Sequence, residues 1–95
     1  MMLEVRVMEG GVVQLLGRFD ASQAAAARQA LSGVSQSVAF DLSGLDYISS
    51  AGLGVLIEVY KRLHSKGQTM RLVNLKPNVR AVFGFAGLEK VLTIE

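Results

Sequence analysis

Short apolar segments alternate with helical patterns along almost the whole of this chain, and that alternation restricts the fold more than any other feature. Residues 3–7 alternate apolar and charged side chains, which is the two-residue period of a half-buried strand. Gly10 and Gly11 then supply the positive φ angles of a tight turn, and residues 12–16 return as a second strand. Three helices are predicted, at residues 21–31, at residues 51–65 and from Pro77. Three further strands are predicted at residues 38–42, 69–73 and 91–94.

The predicted order of elements is therefore β-β-α-β-α-β-α-β. Parallel strands that are joined through helices form right-handed crossovers in nearly all proteins. We therefore predict an α/β fold with a small mixed β-sheet, an opening antiparallel hairpin and three packed helices. Ninety-five residues are enough for one core and too few for two, so residues 1–95 are expected to form a single domain.

Two local interactions follow from helical spacing. Asp20 precedes the first helix, and its carboxylate is expected to accept from free backbone N–H groups, with Gln23 at the spacing of a capping box. In the second helix, Glu58 and Arg62 are four residues apart in the favourable order, which predicts an ion pair between them.

Charge and residue usage argue against several classes of function. The net charge is +2 and the basic residues are scattered, so nucleic-acid binding is not expected. The chain has no cysteine, and its one histidine, His64, cannot assemble a zinc site of the usual composition. No apolar run approaches the ~20 residues of a membrane span, and the N-terminus lacks the layout of a secretory signal. A soluble, cytoplasmic protein without membrane insertion is the expectation.

Two adjacent serines, Ser49 and Ser50, lie where a strand gives way to the second helix. Serine is a preferred N-cap, because its hydroxyl oxygen accepts from a free N–H group of the first turn. The same helix end carries about half a positive charge and free donors, so it also suits a phosphate. Small residues at Ala51 and Gly52 leave a serine hydroxyl accessible to a kinase. Residue types alone leave both roles open.

An enzymatic role finds no support in these residues. The third glycine of a dinucleotide fingerprint and the G-x-S-x-G elbow of a serine hydrolase are both absent, and His64 lies ~20 Å along the helix from Ser50. Asp41 and Asp46 could bind Mg²⁺, but aspartates at strand ends are ordinary turn chemistry, which we favour. We expect no catalytic residues, no metal and no cofactor.

The second helix carries more apolar side chains than one contact with a sheet requires. Leu53, Ile57 and Tyr60 follow one another on a flank, where they either pack against the third helix or form an exposed strip beside Ser50. Phe85, off the main apolar stripe of the third helix, is expected to extend such a strip. An exposed strip would be a docking surface for a protein partner.

Four segments carry distinctive motifs in a fixed order. They are GRFD at residues 17–20, DLSGLDYISSAGLGVL at residues 41–56, LVNLKPNVR at residues 72–80 and FAGLEKVL at residues 85–92. Together they resemble the STAS domains, which are the bacterial anti-sigma factor antagonists and their relatives. By this resemblance the family's phosphorylated serine or threonine falls on Ser50, and Asp20 lies near the same face. The residue before the acceptor is aspartate in the best-known members and Ser49 here.

The resemblance implies a partner switch in a protein that is not itself an enzyme. Unphosphorylated, the domain would bind an anti-sigma factor that is also a serine kinase, and would so free a sigma factor for transcription. Phosphorylation of Ser50 would release that partner. The alternative within the same family is a non-phosphorylated STAS subunit of an ABC-type lipid-transport complex, in which a helix face contacts an ATPase. The residues expected to bind the partner are Asp20, Ser49, Ala51, Gly52, Leu53, Ile57 and Phe85.

Overall fold

The strands and helices follow the predicted alternation, with one additional strand and two short 3₁₀ turns. The structure, a computed structural model, describes residues 2–95. The strands are β1 (Glu4–Met8), β2 (Val12–Phe19), β3 (Val38–Asp41), β4 (Leu45–Ile48), β5 (Met70–Val73) and β6 (Thr93–Ile94). The helices are α1 (Ala24–Ala30), α2 (Ser50–His64) and α3 (Pro77–Phe85), and the 3₁₀ turns are Ala21–Gln23 and Leu88–Lys90.

A six-stranded mixed sheet lies at the centre of the molecule. The strands run in the spatial order β1-β2-β3-β5-β6, and β4 also pairs with β2. β1 and β2 are antiparallel, whereas the other pairs are parallel. Gly10 and Gly11 join β1 to β2 with φ angles of 77° and 75°. The predicted hairpin, mixed sheet and three helices are confirmed.

The sequence pattern does not predict β4, and the loop expected between β3 and α2 contains it. β2 has eight residues, so it pairs with β3 through its first half and with β4 through its second half. The two short strands therefore lie end to end along the same side of β2, joined through residues 42–44. This arrangement carries the chain beyond the end of β3 before α2 begins.

One face of the sheet carries the hydrophobic core. In β2 the alternate residues Val13 and Leu15 are buried, whereas Gln14 on the opposite face is only half-buried. Buried side chains from all three helices join the same cluster as these strand residues. The three helices thus cover one face of the sheet, and this packing places the start of α2 beside the end of β2. Their core residues include Ala27, Leu31, Leu56, Val59, Leu63, Val79 and Phe83.

The start of the first helix differs from the predicted capping box. The chain enters the 3₁₀ turn Ala21–Gln23 before α1, and the Asp20 side chain makes no capping bond to that turn. Ser22 instead donates its hydroxyl to Asp20 Oδ1 at 2.8 Å. In the amide orientation that satisfies its neighbours, Gln23 accepts from the Leu3 N–H at 3.0 Å and donates to a carbonyl of β2. The prediction was wrong because both side chains bond to other groups.

The predicted ion pair within α2 is also wrong. Glu58 pairs with Arg28 of α1, at 2.8 Å between guanidinium and carboxylate. Arg62 donates to the carbonyls of Leu31 and Val34, at 2.6 and 3.1 Å. Both carbonyls lie just beyond the end of α1, and the Leu31 carbonyl also accepts from the Val34 N–H at 3.1 Å. Contacts between the helices therefore replace the pair expected within one of them.

Candidate functional site

The candidate functional residues meet where β4 gives way to α2. Ser49 is extended, with φ −90° and ψ 170°, and its N–H donates to the Phe19 carbonyl at 2.9 Å. This bond continues the pairing between β4 and β2 by one residue, so half-buried Asp20 lies beside the start of α2. The two serines therefore lie at the carboxyl end of the parallel strands, the edge at which open α/β sheets commonly place functional groups.

Ser49 is the N-cap of α2. Its Oγ accepts from the Gly52 N–H at 3.1 Å, and its carbonyl accepts from the Leu53 N–H at 2.9 Å. The side-chain bond satisfies one of the four donors that a helix start leaves free. Of the two serines, the first one performs the capping role.

Replacing each serine separately is expected to separate their roles in stability. Ser49→Ala removes the cap and should lower the free energy of unfolding by about 1 kcal/mol. Ser50→Ala removes an exposed hydroxyl and should change it by less than about 0.5 kcal/mol. Urea denaturation of both variants beside the parent chain measures the difference. Equal losses would show that Ser50 shares the capping role.

Ser50 is the first residue of α2 and is exposed. Because Ser49 already caps the helix, the Ser50 hydroxyl is not required there, and it has no hydrogen-bond partner within residues 2–95. The first turn of α2 has no acidic side chain, and the basic residues of the helix, Lys61, Arg62 and His64, all lie in its last turn. Within the first turn of α2, no acidic side chain therefore offsets the positive end of the helix and its free N–H groups at Ser50.

Two of the residues expected to contact a partner are buried instead. A Cβ atom on Gly52 would lie 2.9 Å from the Ile48 side chain and 3.0 Å from Phe19. Leu53 is 6% exposed and packs in the core. We therefore correct the expected role of Gly52 and Leu53: they do not present a surface to a partner, and they hold the start of α2 against the sheet. Ala51, between them and Ser50, is half-buried.

The outward side of α2 forms a ridge that begins at Ser50. At 100° per residue, Ser50, Gly54, Ile57 and Lys61 lie on one side of the helix, opposite the buried Val59. No atom lies within 4 Å of a Cβ placed on Gly54, Ile57 is half-buried and Lys61 is exposed. We call these four residues the α2 ridge. Gly54 was missed in the sequence, although its position four residues after Ser50 is a usable signal.

Leu53, Ile57 and Tyr60 do not form a fully exposed apolar strip, because Leu53 is buried and the other two are half-buried. Tyr60 is half-buried, and its ring stacks on that of His64 with 5.4 Å between centroids. Phe85 is 91% exposed, but it is the last residue of α3, about 12 Å along the helix axis from Pro77. Only the first turn of α3 is bonded to β4, through Asn78 and the Asp46 carbonyl at 2.8 Å. Contact between Phe85 and a partner stays a prediction.

Asp41 and Asp46, the two aspartates of the segment from β3 to α2, both form polar contacts within the domain. Asp41 accepts from the Ser43 N–H at 3.0 Å and from the Asn74 side chain at 3.3 Å. The bond from the Ser43 backbone is the main reason why the pKa of Asp41 lies below its ordinary value. Asp46 forms an ion pair with Lys76, which likewise lowers its pKa. The contact between Asp41 and Ser43 is the turn chemistry that we predicted, whereas Asp46 lies within β4 and its partner Lys76 is 30 residues away.

The lowered pKa of Asp41 predicts an acid-dependent loss of stability. A carboxyl group whose pKa is lower in the folded state stabilises the fold above its unfolded pKa of about 3.9, and this contribution disappears as the pH falls through the folded pKa. Asp41→Asn should therefore be less stable than the parent chain at pH 7, and the gap should narrow below about pH 4. Urea denaturation at both pH values, with Glu9→Gln as an exposed control, measures this. A gap that is constant with pH would contradict it.

Two further features bear on the kind of site. The longest helix, α2, has 15 residues, and no helix in the described part of the chain is long and apolar enough to cross a membrane. Within residues 2–95, no group of three or more His, Cys, Asp or Glu side chains could hold a metal ion. What the site offers is an exposed hydroxyl at a helix start beside an open ridge.

Comparisons with known proteins show the family and the fold of the chain. A family model described as "Mlab, STAS domain" matches residues 3–94. BtrV of Bordetella bronchiseptica, assigned as an anti-sigma factor antagonist, is 44% identical over 57 residues, which are 60% of this chain and about half, 49%, of that protein. The crystal structure of an anti-sigma factor antagonist from Mycobacterium paratuberculosis is 26% identical with a TM-score of 0.81, covering 98% of this chain and 83% of that one. The phosphorylated form of the Bacillus cell fate determinant SpoIIAA has the same fold at 20% identity and a TM-score of 0.71, covering 99% and 91%.

Proposed function

The chain belongs to the STAS domain family, and from that premise we propose that it is an anti-sigma factor antagonist whose binding is switched off by phosphorylation of Ser50. Unphosphorylated, it binds an anti-sigma factor and so releases a sigma factor for transcription. That anti-sigma factor is also the serine kinase that modifies Ser50. The chain is the substrate of this reaction and not an enzyme.

The observation that carries the proposal is the division of work between the two serines. Ser49 supplies the cap of α2, bonded to the Gly52 N–H at 3.1 Å. Ser50 is exposed and its hydroxyl is not used in holding the fold. A kinase can therefore modify Ser50 without breaking a bond on which the helix depends.

The charge of a phosphate favours the same position. A phosphoserine carries about −1.5 to −2 charges at neutral pH, and the free N–H groups of a helix start stabilise such a group. The first turn of α2 has no acidic side chain to repel it. The free domain is therefore expected to tolerate phosphorylation, and the penalty falls on a complex in which the phosphate would be buried or face partner carboxylates.

The surface proposed to bind the partner is the α2 ridge with the residues around its first turn. Ser50 and Gly54 leave the upper part of the ridge without a bulky side chain, so a partner can approach the helix closely. Half-buried Asp20, Ser49 and Ala51 border this surface, and Ile57 adds apolar area to it. A phosphate on Ser50 would lie at the edge of that contact.

A comparative pull-down tests the proposal. Chains carrying Ser50→Ala, Ser50→Asp and Gly54→Arg are used as baits in a lysate of the source organism, and bound proteins are identified by mass spectrometry. Ser35→Asp, which adds the same charge at an exposed loop residue, is the matched control. We expect an anti-sigma factor on the Ser50→Ala and Ser35→Asp baits and its loss from the other two.

The same experiment distinguishes the alternative role in lipid transport. Recovery of a transporter ATPase on both Ser50 baits would replace the switch with a structural role in a transport complex. Recovery of an anti-sigma factor equally by Ser50→Asp and Gly54→Arg would mean that the partner binds elsewhere on the molecule. Either result would overturn the proposed use of Ser50.

A further inference from the structure

Strand β1 is an open edge of the sheet. β1 pairs with β2 on one side, and within residues 2–95 no strand pairs with its other side. The opposite edge is β6, which has only two residues, whereas β1 has five and contains neither proline nor glycine. Such an edge is a template for another strand unless its sequence prevents pairing.

Two residues of β1 direct their backbone N–H and C=O groups toward this open edge. Just before β2, the Gly11 carbonyl accepts from Ala39 of β3 at 2.8 Å, and within β2 Gly17 donates to the Gly44 carbonyl before β4 at 2.9 Å. Odd-numbered residues of this segment therefore face β3 and β4. Backbone groups of successive residues point to opposite sides of a strand. The even-numbered residues of β2 therefore face β1, and their partners in β1 are also even-numbered. Val5 and Val7 are left with N–H and C=O groups directed outward.

The side chains along β1 are complementary to a second copy of themselves. Residues 2–8 read M-L-E-V-R-V-M, which is symmetric in character about Val5. In an antiparallel pair centred on Val5, Glu4 of each copy lies opposite Arg6 of the other, and residues 3 and 7 form apolar pairs. Opposite charges in directly facing positions stabilise strand pairing. Glu4 and Arg6 already form an ion pair within one chain, and in the dimer each of them also faces the opposite charge of the other copy.

The neighbouring side of α1 is shaped for the same contact. Arg28 of α1 faces α2 through its ion pair with Glu58. Residues two positions away on a helix are rotated by about 200°, so Ala26 and Ala30 lie on the side of α1 opposite to Arg28. Both alanines are exposed, and Ala30 lines an open depression together with Val7, which is 70% exposed. Side chains this small let a second α1 approach closely.

We infer that the chain forms a symmetric dimer through antiparallel pairing of β1 with β1 of a second copy. A two-fold axis perpendicular to the sheet keeps the helices of both copies on the same face, so the two α1 helices lie side by side across the axis. Val5 exchanges two backbone hydrogen bonds with its counterpart, and Val7 donates to the Leu3 carbonyl of the other copy. The Leu3 N–H stays with Gln23. This interface is separate from the α2 ridge.

Charge reversal tests the dimer by sedimentation equilibrium of the full chain. Glu4→Arg places two arginines opposite each other across the axis, and Arg6→Glu places two glutamates there. Each variant should weaken self-association roughly tenfold or more, because two attractive pairs become repulsive. Glu9→Arg, at an exposed position outside the pairing, adds the same charge as Glu4→Arg and should leave association unchanged. Circular dichroism confirms that each variant is folded.

Mixing the two reversed chains makes the test specific. An equimolar mixture of Glu4→Arg and Arg6→Glu restores both opposite-charge pairs, so it should form heterodimers with about the parent's affinity. The double variant E4R/R6E should likewise dimerise with itself. A parent chain that stays monomeric at millimolar concentration, single variants that associate like the parent, or a mixture that stays monomeric would each overturn the inference.

Discussion

Gly52→Ala is expected to lower the free energy of unfolding by about 2 kcal/mol, whereas Gly54→Ala, two residues further along the same helix, is expected to raise it by about 1 kcal/mol. A Cβ on Gly52 would lie 2.9 Å from Ile48 Cγ1 and 3.0 Å from both the ring and the carbonyl oxygen of Phe19. The Phe19 carbonyl also accepts from the Ser49 N–H, so it cannot retreat without opening the start of α2. Forcing a methyl group into such a contact costs about 3 kcal/mol, and the better helix propensity of alanine returns about 1.

Gly54 supplies the matched control, because it shares the helix and lacks the contact. Nothing lies within 4 Å of its Cβ position, so only the gain in helix propensity remains. Thermal unfolding should place the midpoint of Gly52→Ala roughly 8–16 °C below that of the parent chain, and that of Gly54→Ala a few degrees above it. Equal midpoints for the two variants would show that the packing of α2 on Phe19 differs from that described.

Phosphorylation of Ser50 is expected to weaken binding of the anti-sigma factor about a thousandfold while leaving the fold intact. A thousandfold loss corresponds to ~4 kcal/mol, which is within reach of one doubly charged group that must be desolvated or face like charges in the complex. In the free domain the same group lies at the positive end of a 15-residue helix, where it stabilises slightly or has no effect. The switch therefore needs no change of conformation.

Two measurements on the chain phosphorylated at Ser50 separate these effects. Isothermal titration with the partner should show the loss of affinity relative to the unmodified chain. Thermal unfolding of the free domain should show a midpoint within a few degrees of the parent. A large fall in the midpoint together with lost binding would mean that phosphate acts by unfolding the start of α2. Retained affinity would mean that Ser50 lies outside the interface.

The hairpin and the helices could be predicted from the sequence because their signals are local. Gly10 and Gly11 adopt positive φ angles, which glycine tolerates without strain, and Pro77 fits the first turn of α3. The proposal that Ser50 is the phosphate acceptor rests on its place at a helix start and on the resemblance to STAS domains. The structure adds that Ser49 caps the helix, whereas Ser50 is exposed.

The features that the sequence did not predict share one cause: they depend on contacts between residues far apart in the chain. β4 has four residues and too little pattern of its own, and it forms because β2 is long enough to pair with a second strand beyond β3. Arg62 does not pair with Glu58, because it donates instead to the carbonyls of Leu31 and Val34, which follow α1. In the sequence, Gly52 is only a small residue near Ser50. Its contact with Phe19, which the structure shows, explains why a side chain is excluded at this position.

The most direct test of the proposed switch is to add Mg²⁺ and ATP to the purified complex between this chain and its anti-sigma factor and to follow dissociation by light scattering. A parallel complex with the Ser50→Ala chain is the control. We expect the first complex to dissociate, with phosphate mapped to Ser50 by mass spectrometry, and the second to persist. A parent complex that persists in ATP, or an alanine complex that dissociates equally, would contradict it.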